Sequence, residues 1–191
     1  MTAIAYAAPA NLSQTGQTTC YDTAGTVISC AGTGQDGDLK KGIGWPTPRF
    51  TNPDGSTPIS AGVVADQLTG LMWTKDGNAP GPATCSPGGT KTWQGALDYA
   101  ACLNTWNYLG YADWRLPNRK ELKSLVNSEQ SNTAAWLNGL GFTNVQARYY
   151  WSSSTHANDT YYAWVVDLWS GYVAYFTKTA NYYVWPMRSE Q

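Results

Sequence analysis

The chain has 191 residues, with 12 Lys or Arg against 13 Asp or Glu and a formal net charge of −1. That length builds one ordinary domain, with room for a small N-terminal extension. Near-neutral charge without a basic stripe argues against nucleic acid as a partner, and no apolar run approaches the ~20 residues that cross a bilayer, so no membrane insertion is expected.

Ten Trp and thirteen Tyr stand beside nineteen Gly and ten Pro. Lys, Glu and Leu are thin, which points away from a helical bundle and toward an α+β domain with much irregular structure. Residues 1–10, MTAIAYAAPA, are too short and lack the basic start of a signal peptide. Ala5-Tyr6-Ala7 nevertheless has the small-x-small form of a cleavage site, so a signal remnant or tail on a secreted protein is expected.

Residues 11–50 read as an N-terminal extension, polar and rich in Gly, Thr and Pro, with short strands at most near Cys20, Val27 and Phe50. Cys20 and Cys30 flank a hairpin that turns at Ala24-Gly25. Cys85 and Cys102 bracket a Gly/Pro loop and the first helix. This favours the disulfides Cys20–Cys30 and Cys85–Cys102 over the other two pairings, and an oxidising, secreted or extracytoplasmic location, with anchoring at a cell surface an option. A zinc site is disfavoured, because there is no C-x-x-C spacing and His156 is the only histidine. No metal or other cofactor is expected.

Residues 51–191 read as the main domain. Asn52 to Ser56, NPDGS, is a turn by its chemistry. Asn52, Asp54 and Asp66 could also face a calcium ion, but EF-hand spacing and its terminal Glu are missing. Gly70 to Gly77, GLMWTKDG, is a buried strand ending in a turn. Trp93, Ala96, Leu97, Ala100 and Leu103 then form one apolar helical face, with Thr92 as its cap. Pro117 ends the extended Trp114-Arg115-Leu116. Asn118 three residues before Glu121 starts a second short helix as a capping box, with Leu122, Leu125 and Val126 as its buried stripe.

After Gly141 the period changes to two. Tyr162, Trp164, Val166 and Leu168 fall on one face of a strand, and Tyr161, Ala163, Val165 and Asp167 on the other. Ser170-Gly171 is a hairpin turn, and Pro186 restricts the last strand to an edge or a strand end. The expectation is two helices packed on short antiparallel sheets, an α+β arrangement of segregated elements. Trp73, Trp93, Trp114, Tyr150, Trp151, Trp164 and Val166 are expected in the core.

The segments LTGLMWTKDG, TWQGALDYAACLN, GYADWRLPNRKELKSLVN, YYWSSS and YYVWPMR together resemble a bacterial extracellular family, the C-terminal domain of the Legionella collagen-like protein. The resemblance covers residues 50–188, and the combination of WRLPN…EL with YWSS carries it. It implies a C-type-lectin-like fold, distantly similar to formylglycine-generating enzymes, and an adhesion or ligand-binding role. Some members are variable proteins of diversity-generating retroelements, in which adenine-directed mutagenesis rewrites C-terminal codons. Residues 149–185 are then expected to carry a diversified surface. The family commonly has Arg where this chain has Trp185, which fits a position free to vary. Relatives with collagen-like stalks form trimers, so a homo-oligomer is also implied.

Tyr and Trp with Ser and Asn suit a binding surface, since they combine large contact area, low ordering cost and adaptable hydrogen bonding. The ligand-binding candidates are His156, Asn158, Asp159, Tyr161, Trp169, Tyr172, Tyr175, Asn181, Tyr182 and Trp185, facing a protein or cell-surface glycan. An enzyme is disfavoured. No cysteine follows Cys102, whereas formylglycine-generating enzymes use C-terminal cysteines, and Ser152-Ser153-Ser154 lacks a nucleophile elbow. Asp113 and Asp167 are the acids that attract notice, Asp113 as a structural partner beside Trp114. The Glu-Pro-Asn, Gln-Pro-Asp and Trp-Asn-Asp triplets of calcium-dependent lectins are absent.

Overall fold

The computed structural model describes residues 12–189. The expected signal remnant or tail, residues 1–10, lies outside the described residues. In the N-terminal extension, β1 (Cys20–Tyr21) pairs antiparallel with β2 (Val27–Ile28). The Asp22 carboxylate accepts bonds from the Ala24 and Thr26 N–H groups, and Gly25 adopts the left-handed φ of 80° that the turn requires. The disulfides Cys20–Cys30 and Cys85–Cys102 form as expected, each worth ~3 kcal/mol through restriction of the unfolded chain. A helix of one turn, α1 (Asp36–Leu39), was not expected. It packs against the first disulfide so closely that a Cβ on Gly37 would lie 2.8 Å from Cys20 Sγ.

Two sheets carry the rest. β3 (Phe50–Thr51), β4 (Val63–Asp66), β5 (Leu71–Thr74) and β11 (Met187–Ser189) form an antiparallel sheet in the order β11-β5-β4-β3. The NPDGS turn leads out of β3 and closes with Asn52 N–H donating to Ser56 O. The second sheet contains β6 (Thr90–Lys91), β7 (Tyr149–Thr155), β8 (Tyr162–Asp167), β9 (Val173–Thr177) and β10 (Tyr182–Tyr183), ordered β6-β10-β7-β8-β9. Expectation and structure differ here, because β10 pairs parallel with β7 through Tyr183 and Tyr150. After β9 the chain does not turn back on its neighbour. Residues 178–181 cross one face of the sheet to reach β10 on the far side of β7, and the rings of Phe176 from β9 and Tyr182 from β10 meet with 4.9 Å between centres.

α2 (Trp93–Thr105) starts where Thr92 Oγ1 accepts from Gly95 N–H at 3.1 Å. α3 (Arg119–Ser124) has the expected capping box, Asn118 and Glu121 each satisfying the other's main-chain N–H. The structure adds α4 (Thr133–Gly139), capped by Asn132, so two expected helices become four α-helices among the described residues. Seven residues, TAAWLNG, are too few to show a helical period. The start of α4 is tied to the end of β8 by Thr133 and Ala134 N–H bonds to Trp169 and Leu168 carbonyls.

The sheets enclose two cores. One gathers Trp73, Leu122, Leu125, Phe142, Tyr150, Val166, Leu168 and Trp185. The other gathers Tyr99, Leu103, Trp114, Leu116, Trp151, Ala163, Val165 and Val184. β8 therefore sends successive valines into different cores, and both of its faces are covered at mid-strand. The face holding Ala163, Val165 and Asp167, from which surface residues were expected, is closed by α2 and the crossing link.

Three residue assignments change. Trp185, expected on the surface, is fully buried, with its indole N–H donating to Thr74 O at 2.9 Å. The step from β10 to β11 carries Val184, Trp185 and Met187 between the two sheets, where no outer side exists. Trp164, expected in the core, is half-buried, because the space it faces beyond α3 is an open cleft. Trp93 is also half-buried, under the Lys178 ammonium at 4.1 Å.

The carboxyl of Glu121 links two devices, capping α3 and pairing with Arg115 at 2.7 Å. Burial opposes its ionisation, but the Arg115 guanidinium and the Asn118 N–H outweigh burial and hold its pKa below the ordinary 4.5. A lowered folded-state pKa contributes stability that is present above the ordinary value and lost as pH falls through the lowered one. Glu121→Gln, which keeps the cap's acceptor, is expected to flatten the loss of stability below about pH 4.5 in denaturant titrations across pH. Trp185→Ala is expected to cost about 3–5 kcal/mol in the same measurement at neutral pH.

Candidate functional site

Strands β7, β8 and β9 alternate their side chains, so Tyr162 and Trp164 of β8 share a face with Tyr175 of β9, and Trp164 is directly opposite Tyr175. His156, just after β7, completes the group. Its ring centre lies 4.3 Å from Tyr175 and 5.1 Å from Trp164, while Tyr162 meets Tyr175 edge-on at 5.6 Å. The first residue of α3 reaches over this cluster, placing the Arg119 guanidinium 4.3 Å above the Trp164 ring. Ser154 Oγ receives the Arg119 N–H at 3.1 Å and fixes the start of the helix against β7.

Trp164, Arg119 and Lys120 line two adjoining clefts. The larger, about 620 Å³, runs between α3 and the N-terminal extension, with Trp45 and Val126 on its walls. The smaller is about 320 Å³ and includes Ser154 and Thr155. Among the described residues no carboxylate lines either cleft. Lys123 is on the rim, its ammonium donating to Gly171 O at 2.5 Å, and burial pulls its pKa down. The floor is aromatic and the rim is cationic, in a chain with few charges.

The expected site residues fall into separate groups. His156 and Tyr175 belong to the cluster. Asn158, Asp159 and Tyr161 form the β7–β8 loop, where Tyr161 is 81% exposed and its N–H bonds to the Asp159 carboxylate. Trp169 and Tyr172 lie at the β8–β9 turn, exposed, at the opposite end of a strand ~20 Å long. That turn is shaped by Asp167, which accepts from Trp169 N–H and the Ser170 hydroxyl. With Arg148 and Tyr149 these residues border a cleft of about 340 Å³. Asn181 is exposed on the crossing link, and Tyr182 is half-buried on the other face, among Tyr149, Trp151 and Phe176. Trp185 takes no part in any surface.

Trp164, Tyr162 and Arg119 were missing from the expected set. Strand alternation placed Tyr162 and Trp164 together but gave no sign that this end of the face is open. Arg119 follows the capping Asn118, a position whose side chain leaves the first helical turn freely, and that signal was legible.

The residues considered for chemistry are otherwise engaged. Asp113 pairs with Arg188 at 2.7 Å, Asp66 with Arg49 at 2.7 Å, and the Ser152 hydroxyl donates to Trp164 O. Asn52 donates to Ser56 and Pro58 carbonyls and accepts from Ser60 and Ala61. Among the described residues, no three His, Cys, Asp or Glu side chains come together as a metal site.

A disulfide-bearing α+β scaffold that presents aromatic clusters and shallow clefts has the form of a ligand-binding, adhesin-like domain. The family model described as the Lcl C-terminal domain matches residues 62–188, and the chain belongs to that family. No curated protein matches the chain. The two disulfides, with no helix among the described residues long and apolar enough to cross a membrane, are consistent with an extracellular protein.

Because Tyr161 buries little of its area, Tyr161→Ala is expected to move stability by no more than about 0.5 kcal/mol, read from urea midpoints at constant slope.

Proposed function

We propose that this is a secreted, non-catalytic recognition protein with a C-type-lectin-like fold, the variable protein of a diversity-generating retroelement, facing a protein or cell-surface glycan. The observation that carries the reading is the division of the C-terminal aromatics. Tyr150, Trp151 and Trp185 are sealed in the cores, whereas Tyr161, Trp169, Tyr172 and Tyr175 stand on loops and the outer strand. A scaffold kept apart from its presented side chains can tolerate change at the latter. Rigid presentation of Tyr and Trp lowers the ordering cost of binding.

A fixed-specificity adhesin is the second reading, favoured at one place. His156, Trp164, Tyr175 and Arg119 interlock by stacking, so changing one disturbs the others, and such a site suits a single ligand. A formylglycine-generating-like enzyme ranks below both.

The neighbouring DNA separates the first two. Diversification predicts a near-copy of the codons for residues 149–185 beside a reverse transcriptase gene, with adenine differences confined to exposed positions such as Asn158, Asp159, Tyr161, Trp169, Tyr172, Tyr175 and Asn181 and to the half-buried His156. Differences reaching the Trp151 or Trp185 codons, or no near-copy, would leave the fixed adhesin. In either case, for a hit from an array of cell-surface glycans and extracellular proteins, Tyr161→Ala, Trp169→Ala or Tyr175→Ala is expected to weaken binding tenfold or more, about 1.4 kcal/mol. A hit indifferent to all three would count against a recognition surface here.

A further inference from the structure

β9 is the outer strand of its sheet and pairs only with β8. Asp167 N–H bonds to Tyr172 O, and Lys178 N–H bonds to Tyr161 O. In an antiparallel ladder these bonded pairs alternate with non-bonded ones. The inward-facing main-chain groups of β9 therefore belong to Tyr172, Ala174, Phe176 and Lys178. Those of Val173, Tyr175 and Thr177 point out of the sheet. Among the described residues no donor or acceptor meets them, apart from the Ala180 N–H on the Thr177 carbonyl.

Outer strands usually carry a protective device, such as a proline, a bulge, an inward charge or a covering loop. Among the described residues β9 has none of these. Its five residues, Val-Ala-Tyr-Phe-Thr, hold no charge and no proline, and they pair with β8 in unbroken register. The exposed ring of Tyr175 sits at its centre.

We propose that β9 pairs antiparallel with β9 of a second copy of this chain, about a two-fold axis at Tyr175, joining the two five-stranded sheets. The strand is self-complementary in that register. Tyr175 exchanges both main-chain bonds with its own counterpart. Val173 lies opposite Thr177, a β-branched pair suited to a ladder. On the other face the small Ala174 lies opposite the large Phe176. Lys178, the nearest charge, lies opposite Tyr172 and not opposite another lysine. Closed two-fold symmetry uses up both edges and stops at two copies. The joined sheet sets two His156–Trp164–Tyr175 clusters side by side on one face, which makes the pair bivalent for whatever the clusters bind. The pairing itself stands on the strand's geometry and does not depend on the recognition reading.

The test is sedimentation velocity on the full chain from about 1 to 500 µM, a range that spans the affinities of weak ladder-mediated dimers, together with hydrogen exchange at both ends of the range. The expected result is a reversible dimer and, at high concentration, at least tenfold slower exchange of the Val173, Tyr175 and Thr177 amides. Tyr175→Lys sets like charges against each other across the two-fold, and Tyr175→Pro removes an outward N–H while sparing the bonds to β8. Each is expected to give a monomer; should the proline variant not fold, Tyr175→Lys carries the test, with retained far-UV circular dichroism and a cooperative melt showing that it is folded. Tyr161→Ala, away from the edge, is expected to remain dimeric. A wild-type chain that is monomeric throughout, or a dimer that survives Tyr175→Lys, overturns the proposal. So does protection of the three amides only on adding a foreign extended peptide, which would make β9 an acceptor for another protein's strand.

Discussion

The fold depends on one crossing of the chain. Between β10 and β11 three residues, Val184 to Pro186, pass from the five-stranded sheet to the four-stranded one, and all are buried. Trp185 occupies the passage. Its ring is 5.4 Å from Trp73, 5.2 Å from Phe142 and 5.9 Å from Tyr150, and its N–H closes onto the Thr74 carbonyl. These partners come from β5, the segment after α4, and β7. The indole thus joins parts of the chain that are otherwise far apart in sequence. Dense aromatic packing with a satisfied polar handle is what makes such a joint stiff.

That stiffness lets the other end of the sheet remain open. α3 and the two residues that follow it cover the lower part of β7 and β8 with Leu122, Leu125 and Val126. Its first residue, Arg119, reaches over Trp164 instead of sealing it. The aromatic cluster is therefore held from below by the core and from the side by a cation, and is left unfilled above. The β8–β9 turn is built in the same spirit, with Asp167 fixing the main chain while Trp169 and Tyr172 project outward. In both places hydrogen bonds hold the backbone and large rings face outward.

Much of this was legible in the sequence, and the misses share a cause. Caps, turns and disulfides are local chemistry, so Thr92, the Asn118–Glu121 box, the NPDGS turn and both cystines could be read directly. α4 was invisible because its seven residues leave no period and its position is set by bonds to the end of β8. Strand alternation separated Val165 from Val166 correctly. It could not tell that both faces of β8 are covered at mid-strand and one is open at Trp164, because cover comes from elements distant in sequence. Trp185 was misread for the same reason. Its neighbourhood, rich in Tyr and Asn, resembles a surface, and only the passage between two sheets makes it interior. The parallel placement of β10 likewise depends on a link that crosses a face, which no local pattern encodes.

Arg49 has a consequence for where the domain starts. Its guanidinium is held between the rings of Trp45 and Phe50 at 4.4 and 4.7 Å, and it bonds to Asp66 and to the Ser124 carbonyl, all in a nearly dry setting. Asp66 lies within the family-matched stretch, and Arg49 lies before it. A polypeptide cut to the matched residues would keep the acid and lose its counter-ion, stranding a buried carboxylate at a cost of several kcal/mol and stripping β3 from the sheet. The Arg49–Asp66 pair thus ties residues upstream of the family-matched stretch to the sheet within it.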